Sequence, residues 1–207
     1  MKFKLASVLI LAAGFAGPAF GDTINFSSPT GDLGTSHTYT LGSTSVTAYG
    51  FNGTTIGSAT DLYGKNGGGT ENGLGIANTG SEHEITSSTF ISLDVSQISG
   101  PFSLAIGSTQ GVEGFTLCFE TSKGVTGGGS CTSYNSPLGD PDVVSGLTLP
   151  GGDKFITIRG DGHPEGGNVL LDSITYTTAP TPEPSSLALL GTGILAAAGV
   201  VRRKLSL

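Results

Sequence analysis

The sequence predicts an all-β protein, a jelly-roll-like β-sandwich, and three observations support this fold class. Apolar and polar side chains alternate with a period of two along many short segments, as in strands that bury one face. Glycine-rich turns separate these segments, and the 207-residue chain contains 35 glycines. The central part of the chain shows no 3.6-residue apolar stripe of the kind that amphipathic helices carry. Nine or more short strands with such connections are typical of two packed sheets.

The strands follow in chain order from this alternation. The clearest three bury Ile91, Leu93 and Val95, then Phe102, Leu104 and Ile106, then Phe115, Leu117 and Phe119. The other candidates are Thr23–Phe26, Thr38–Leu41, Val46–Phe51, Val143–Leu149, Lys154–Arg159 and Asn168–Tyr176. The sandwich is therefore expected to occupy residues 22–177, with turns at glycine clusters such as 66–69 and 127–129.

Residues 1–21 have the pattern of a secretory signal peptide. Two lysines precede an uncharged apolar run, Leu5 to Ala16, which Pro18 ends, and small residues lead up to Gly21. The alternative, a buried N-terminal helix, explains the apolar run but not the cleavage pattern. We therefore expect export and a mature chain that begins near Asp22.

Three features follow one another at the C-terminus. A proline-rich linker, residues 178–184, ends in Pro182-Glu183-Pro184. Residues 185–201 are uncharged and mostly apolar, and as a helix they reach about 25 Å, close to the roughly 30 Å hydrocarbon layer. The basic cluster Arg202-Arg203-Lys204 follows and is expected to stay cytoplasmic. Residues 185–207 are thus predicted to form a single transmembrane helix with a basic tail.

This combination resembles the PEP-CTERM sorting signal of exported bacterial proteins. In that family a membrane-embedded exosortase recognises the tripeptide, cleaves the tail, and releases the protein or transfers it to the cell surface. The resemblance implies that Pro182, Glu183 and Pro184 are recognised by an exosortase while the helix anchors the protein in the inner membrane. The alternative, a plain anchor after a proline-rich stalk, explains the helix and the charges but not the tripeptide. Such signals occur on unrelated domains, so the resemblance implies a route and not an activity.

The charge balance excludes one class of partner. The formal net charge is −7, and all 16 acidic residues lie between positions 22 and 183, where the basic residues are Lys65, Lys123, Lys154 and Arg159. A nucleic-acid-binding surface needs the opposite balance, because basic groups must displace counterions from phosphates. We therefore expect no nucleic-acid partner.

The two cysteines, Cys118 and Cys131, are expected to form a disulfide because export places them in an oxidising compartment. Cys118 alternates with Phe115, Leu117 and Phe119, so the bridge would lie on the opposite face of its strand. The loop that it closes is rich in glycine, and we expect that loop to be flexible.

The sequence offers no catalytic motif, and we expect no enzymatic activity. His37, His83 and His163 lie in polar stretches and are expected to be solvated. Two carboxylates facing each other across a cleft would be needed for glycoside chemistry, and sequence alone cannot place such a pair.

The last predicted strand carries a cation hypothesis. It resembles the closing strand of jelly-roll carbohydrate-binding modules, where an aspartate often holds a structural Ca²⁺, which would make Asp172 a ligand with Asp22 as its only nearby acidic partner. The alternative, which we favour, is that Asp172 bonds to neighbouring backbone or faces solvent while Val169 and Leu171 point inward.

A second acidic stretch joins residues 71–76 to residues 82–85. A Gly-Leu-Gly step followed by an acidic-hydrophobic step resembles a stretch that recurs in other proteins with this kind of tail. Carboxylates in a glycine-rich loop suit Ca²⁺, and a solvated acidic loop is the alternative that we favour.

Two function classes remain. The first is a non-enzymatic cell-surface or matrix protein associated with extracellular polysaccharide, with Ca²⁺ as the only cofactor considered. The second is a small secreted carbohydrate-active enzyme that uses paired carboxylates. The absence of tryptophan, the usual sugar-stacking side chain, disfavours the enzyme, although five tyrosines partly offset it.

Overall fold

A computed structural model of the protein describes residues 21–69, 71–109, 113–134, 141–162, 168–177 and 191–194. Residues Gly21–Thr177 form one compact unit, and its described strands make two antiparallel sheets of seven strands each. The prediction of an all-β sandwich is confirmed.

The strands are numbered in chain order, and their spatial order within each sheet differs from it. The first sheet runs β12 (Asp142–Leu147), β9 (Phe102–Gly107), β14 (Leu170–Thr177), β7 (Asn72–Ile76), β6 (Leu62–Asn66) and β2 (Gly31–Gly34), with β1 (Gly21–Asn25) also paired to β14. The second sheet runs β11 (Ser130–Tyr134), β10 (Phe115–Glu120), β13 (Phe155–Gly160), β8 (Thr89–Asp94), β4 (Thr44–Asn52) and β3 (Ser36–Leu41), with β5 (Ser58–Ala59) also paired to β4. From β8 onward the chain alternates between the sheets except at the β10–β11 hairpin.

Inward-facing side chains of both sheets share one hydrophobic core. Leu104 and Ile106 of β9 lie in it with Leu117 of β10 and Ile91 of β8, as their alternation predicts. Sequence reasoning missed β2, β5, β6, β7 and β11. Those strands are short or rich in glycine and serine, so they give no apolar alternation to detect.

The first and last strands of the unit lie side by side. Gly21 pairs with Thr177 across β1 and β14, so the described domain begins one residue before the predicted boundary. The rest of the predicted signal peptide and most of the C-terminal tail lie outside the described residues, and residues 191–194 form a helical turn. No helix among the described residues is long and apolar enough to cross a membrane.

The predicted disulfide is present, and its loop packs on the second sheet. Cys118 and Cys131 are directly opposite each other in the β10–β11 hairpin and are bonded. The backbone N–H of Gly124 donates to the Ser92 hydroxyl at 3.3 Å, and the Thr157 hydroxyl donates to the carbonyl of Val125 at 3.0 Å. The expectation of a flexible loop is therefore wrong, because these bonds hold the loop against the outer face of β8 and β13.

Candidate functional site

A polar cluster on the first sheet collects side chains from four separate parts of the chain. Lys65 lies in β6, Glu71 directly precedes β7, Glu82 and Glu84 lie in the connection after β7, and Ser108 follows β9. We call these five residues the lysine cluster. The Lys65 Nζ lies 2.6 Å from Oε2 of Glu71, 3.0 Å from Oε1 of Glu84 and 3.5 Å from Oε2 of Glu82.

Ser108 closes the lysine cluster from the other side. Its hydroxyl lies 3.0 Å from Oε1 of Glu71 and 2.8 Å from Oε1 of Glu84. Among the described residues other than glycine, Ser108 and His83 are the two with positive φ, at 57° and 55°. Such backbone is uncommon for these residue types and is often found at functional sites. Ser108 belongs to the lysine cluster, and His83 lies between two of its members, Glu82 and Glu84.

The local sequence of β7 explains how the connection reaches Lys65. Gly73 and Gly75 alternate with the buried Leu74, so two neighbouring positions on the outer face of β7 have no side chain. The backbone of His83 passes directly over Gly75, and the Ile76 N–H donates to the His83 carbonyl at 3.1 Å. Gly75 therefore leaves the space in which the connection lies against the sheet.

Burial within the lysine cluster is graded. The side chain of Glu84 is 7 % exposed, that of Lys65 is 14 % exposed and that of Glu82 is 65 % exposed. The solvated acidic loop that we favoured from the sequence is therefore wrong for Glu84, which is buried and paired. A buried carboxylate without such a partner would be strongly unfavourable.

Lys65 and Glu71 each stabilise the charged form of the other. Burial alone would lower the pKa of Lys65, but its hydrogen bonds with Glu71 and Glu84 outweigh burial and raise that pKa. Burial would also raise the pKa of Glu71, but hydrogen bonds from Lys65 and Ser108 prevail and lower it. Both groups are therefore held in their charged forms near neutral pH.

A groove of about 650 Å³ lies beside the lysine cluster, and we call it the Tyr63–His83 groove. The two rings are stacked, with centroids 3.8 Å apart and planes 20° apart. The His83 Nδ1–H donates to the carbonyl of Ala77 at 2.9 Å, which fixes the ring. The residues lining the groove are Thr30, Gly31, Tyr63, Gly64, Lys65, Asn66, Gly67, Ser81 and His83. His83 is half-buried, so the prediction of a solvated histidine is wrong at this position.

The three carboxylates of the lysine cluster lie close together around one ammonium group. Oxygens of Glu71, Glu82 and Glu84 lie within 4.8 Å of one another, close enough to share a cation. Lys65 already provides a positive charge to all three. Lys65 and Ser108 both engage Glu71 and Glu84.

The two aspartates of the calcium hypothesis are not brought together. Asp22 of β1 pairs with Tyr176, whereas the backbone of Asp172 bonds to Phe26 at the other end of β1. Four residues of strand correspond to about 13 Å, while Ca²⁺ binds oxygens at about 2.3–2.6 Å. Asp172 is half-buried in a β-bulge between Leu171 and Ser173. Burial raises its pKa, and the hydrogen bond from the Ser173 hydroxyl partly offsets this effect.

The disulfide region holds a second buried carboxylate. Glu120 accepts a hydrogen bond from the N–H of Gly128 at 3.0 Å, so it fixes the glycine turn inside the disulfide loop. Glu120 also lies close to the sulfurs of Cys118 and Cys131. Those sulfurs are bonded to each other, so they are not available as thiolate metal ligands.

Sequence reasoning found part of the site. It singled out residues 71–76 and 82–85 together, and the structure brings them together. It missed Tyr63, Lys65 and Ser108, whose only sequence signal was that Lys65 is one of four basic residues in the exported part. The sorting residues Pro182, Glu183 and Pro184 and the cluster Arg202-Arg203-Lys204 lie outside the described residues.

One known family model matches the C-terminal part of the chain. The model of the PEP-CTERM protein-sorting motif matches residues 180–204. The chain therefore carries a PEP-CTERM motif, as the resemblance predicted. The motif supports export, sorting by an exosortase and a location at the cell surface or in the extracellular space. The match covers the tail and does not extend into the sandwich.

Comparisons of the whole chain add little. Comparison with curated proteins gives no match. Among solved structures, the chain is similar to a family two carbohydrate esterase from Cellvibrio japonicus, with 14 % identity and a TM-score of 0.33 over 79 % of this chain. The chain spans 37 % of the length of that esterase, and a likeness of this degree supports no statement about activity.

Proposed function

We propose that this protein acts outside the cell as a non-enzymatic, glycan-associated module of the cell surface or extracellular matrix. The observation that carries the proposal is the Tyr63–His83 groove. Aromatic rings beside neutral polar groups suit sugars, which present both apolar C–H faces and hydroxyls. Asn66, Ser81 and Thr30 supply amide and hydroxyl groups along the same groove.

The lysine cluster supports binding rather than catalysis. A glycosidase needs one carboxyl group that carries a proton and a second that acts as nucleophile or base. The pKa of Glu71 is lowered, and Glu84 is buried against Lys65 and Ser108. The paired-carboxylate enzyme remains the alternative. It predicts hydrolysis of a polysaccharide by the wild-type protein and loss of that hydrolysis in Glu84→Gln.

Binding is tested with the processed protein and polysaccharide extracted from the matrix of the producing cells. We expect Tyr63→Ala to weaken binding up to about tenfold, because contacts of this kind with an aromatic ring contribute about 0.5–1.5 kcal/mol. Tyr49→Ala is the matched control, since Tyr49 lies on the second sheet beneath Lys123. Equal binding by wild type and Tyr63→Ala would exclude the groove as the glycan site.

We also propose that residues 185–207 anchor the protein in the inner membrane until the exosortase processes it. Fractionation should then show processed wild-type protein outside the membrane and full-length Glu183→Ala retained within it. Thr181→Ala, one residue before the tripeptide, is the control and should behave as wild type. If wild type and Glu183→Ala both remain full-length in the inner membrane, a plain anchor is the better description.

A further inference from the structure

We infer that the Tyr63–His83 groove takes uncharged glycans and rejects anionic ones, and that Glu82 sets this preference. The inference rests on the proposed glycan association and concerns which class of polysaccharide the groove accepts. It follows from the charges at the groove and from the neutral groups that line it.

The cation that lines the groove is already engaged. The Lys65 Nζ contacts Glu71, Glu84 and Glu82, and its side chain is 14 % exposed. A uronate or sulfate group on a glycan would have to displace one of these carboxylates to reach the ammonium group. Displacement of Glu84 in particular would leave an unpaired charge in a poorly solvated position, because Glu84 is buried.

Glu82 places negative charge at the rim of the groove. Its Oε2 lies 3.5 Å from Nζ of Lys65, and its Oε1 lies 3.3 Å from the Ser81 hydroxyl. Lys65 and Ser81 both line the groove. Its side chain is 65 % exposed. Three carboxylates surround one ammonium group, so an approaching polyanion meets a local excess of negative charge. Like-charge contact of this kind excludes wrong partners more than it strengthens right ones.

Besides Lys65 and the His83 ring, the side chains that line the groove carry no formal charge. They are the Tyr63 ring, the hydroxyls of Thr30 and Ser81, and the Asn66 amide. These groups donate to and accept from sugar hydroxyls without an ion pair. Binding of an uncharged glycan should therefore change little with ionic strength, since screening acts on charged contacts.

The test compares two polymers with the processed protein: dextran, which is uncharged, and alginate, which carries a carboxylate on each sugar. We expect wild type to bind dextran at low and high ionic strength alike and to bind alginate weakly. Glu82→Gln should strengthen alginate binding relative to dextran binding about threefold at low ionic strength, the effect of one charge about 6 Å away in water. Asp153→Asn is the matched control: it removes one negative charge from the β12–β13 connection and should change neither affinity.

The outcomes separate this inference from the proposed function. Alginate binding by wild type as tight as dextran binding, with both weakened by Tyr63→Ala, overturns the inference and leaves the glycan site in place. An equal response of Glu82→Gln and Asp153→Asn also overturns it, because the effect would then be one of total charge. Failure of wild type to bind either polymer or the matrix polysaccharide overturns the proposed function and the inference with it. Melting curves of each variant confirm that it is folded.

Discussion

The carbonyl of His83 lies directly over the Cα of Gly75, and a Cβ atom at position 75 would overlap it. This contact joins the connection after β7 to the outer face of the first sheet. Within this connection, the His83 ring stacks on Tyr63, and the carboxylate of the next residue, Glu84, pairs with Lys65. The groove and the lysine cluster therefore depend on one glycine.

Gly75→Ala should displace the connection after β7 and destabilise the domain. We expect a loss of about 1–3 kcal/mol in the free energy of unfolding, as for other overpacked positions, together with loss of glycan binding. Denaturant unfolding measures the first effect. Gly151→Ala is the control, because a Cβ at position 151 meets open space. Equal stability of both variants would show that the contact with His83 is easily relieved.

Lys65→Met should destabilise the domain through Glu84. The substitution keeps an apolar side chain of similar length but leaves a carboxylate that is 7 % exposed without its cation, which costs about 3–5 kcal/mol in other proteins. Lys123→Met is the control: Lys123 is exposed over the Tyr49 ring, and its removal should cost about 1 kcal/mol or less. Adding Glu84→Gln to Lys65→Met should recover part of the loss, and the absence of any recovery would argue against the unpaired carboxylate as its cause.

The free energy of unfolding should fall at low pH and at high pH, because each extreme discharges one member of the ion pair between Glu71 and Lys65. The pKa of Glu71 is lowered from 4.5, so its contribution is present above pH 4.5 and is lost as the pH falls through the folded-state pKa. The pKa of Lys65 is raised from 10.5, so its contribution is present below pH 10.5 and is lost as the pH rises through the folded-state value. Glu71→Gln should therefore flatten the acid limb of a stability–pH curve. An acid limb that is the same in Glu71→Gln and wild type would show that a group other than Glu71 causes the loss of stability at low pH.

Asp172→Asn should raise the melting temperature at neutral pH. Burial raises the pKa of Asp172 from 3.8, so the folded state holds its proton more tightly and this carboxylate lowers stability as the pH rises through that range. Asparagine keeps an acceptor for the Ser173 hydroxyl and removes the charge. Because Asp22 pairs four residues further along β14, we expect EDTA to leave the melting temperature of wild type unchanged. A melting temperature lowered by EDTA in wild type but not in Asp172→Asn would instead establish a calcium ion at this residue.

Removing the disulfide should weaken the second sheet. Cys118 and Cys131 are 13 positions apart, and closure of a loop of this size contributes about 3 kcal/mol in the chain-entropy model. We expect the Cys118→Ala/Cys131→Ala variant to lose about this much and to exchange the Gly124 and Gly128 amide hydrogens faster. Reduced wild type is the matched control and should show the same loss. A double variant as stable as the oxidised protein would mean that the loop contacts alone hold this face.

Several strands and the sorting motif at the C-terminus were predictable from local sequence. Period-two alternation identified β8, β9 and β10 because the property is repeated every second residue and is visible in any short window. The motif at residues 180–204 was predictable because a sorting signal is recognised as a linear segment of the sequence. Strands such as β7, whose sequence is Asn-Gly-Leu-Gly-Ile, gave no such pattern.

The charge and composition of the exported part, its strand-forming segments and its route out of the cell were determined by the sequence itself. Only the tertiary structure decided that Lys65 neutralises Glu84, that Ser108 reaches Glu71 from 37 positions away, and that Tyr63 and His83 line one groove. The reason is physical: alternation and sorting motifs are properties of neighbouring residues. The lysine cluster instead depends on which strands pair and on a connection that crosses β7 at Gly75, where the absence of a side chain leaves room for it.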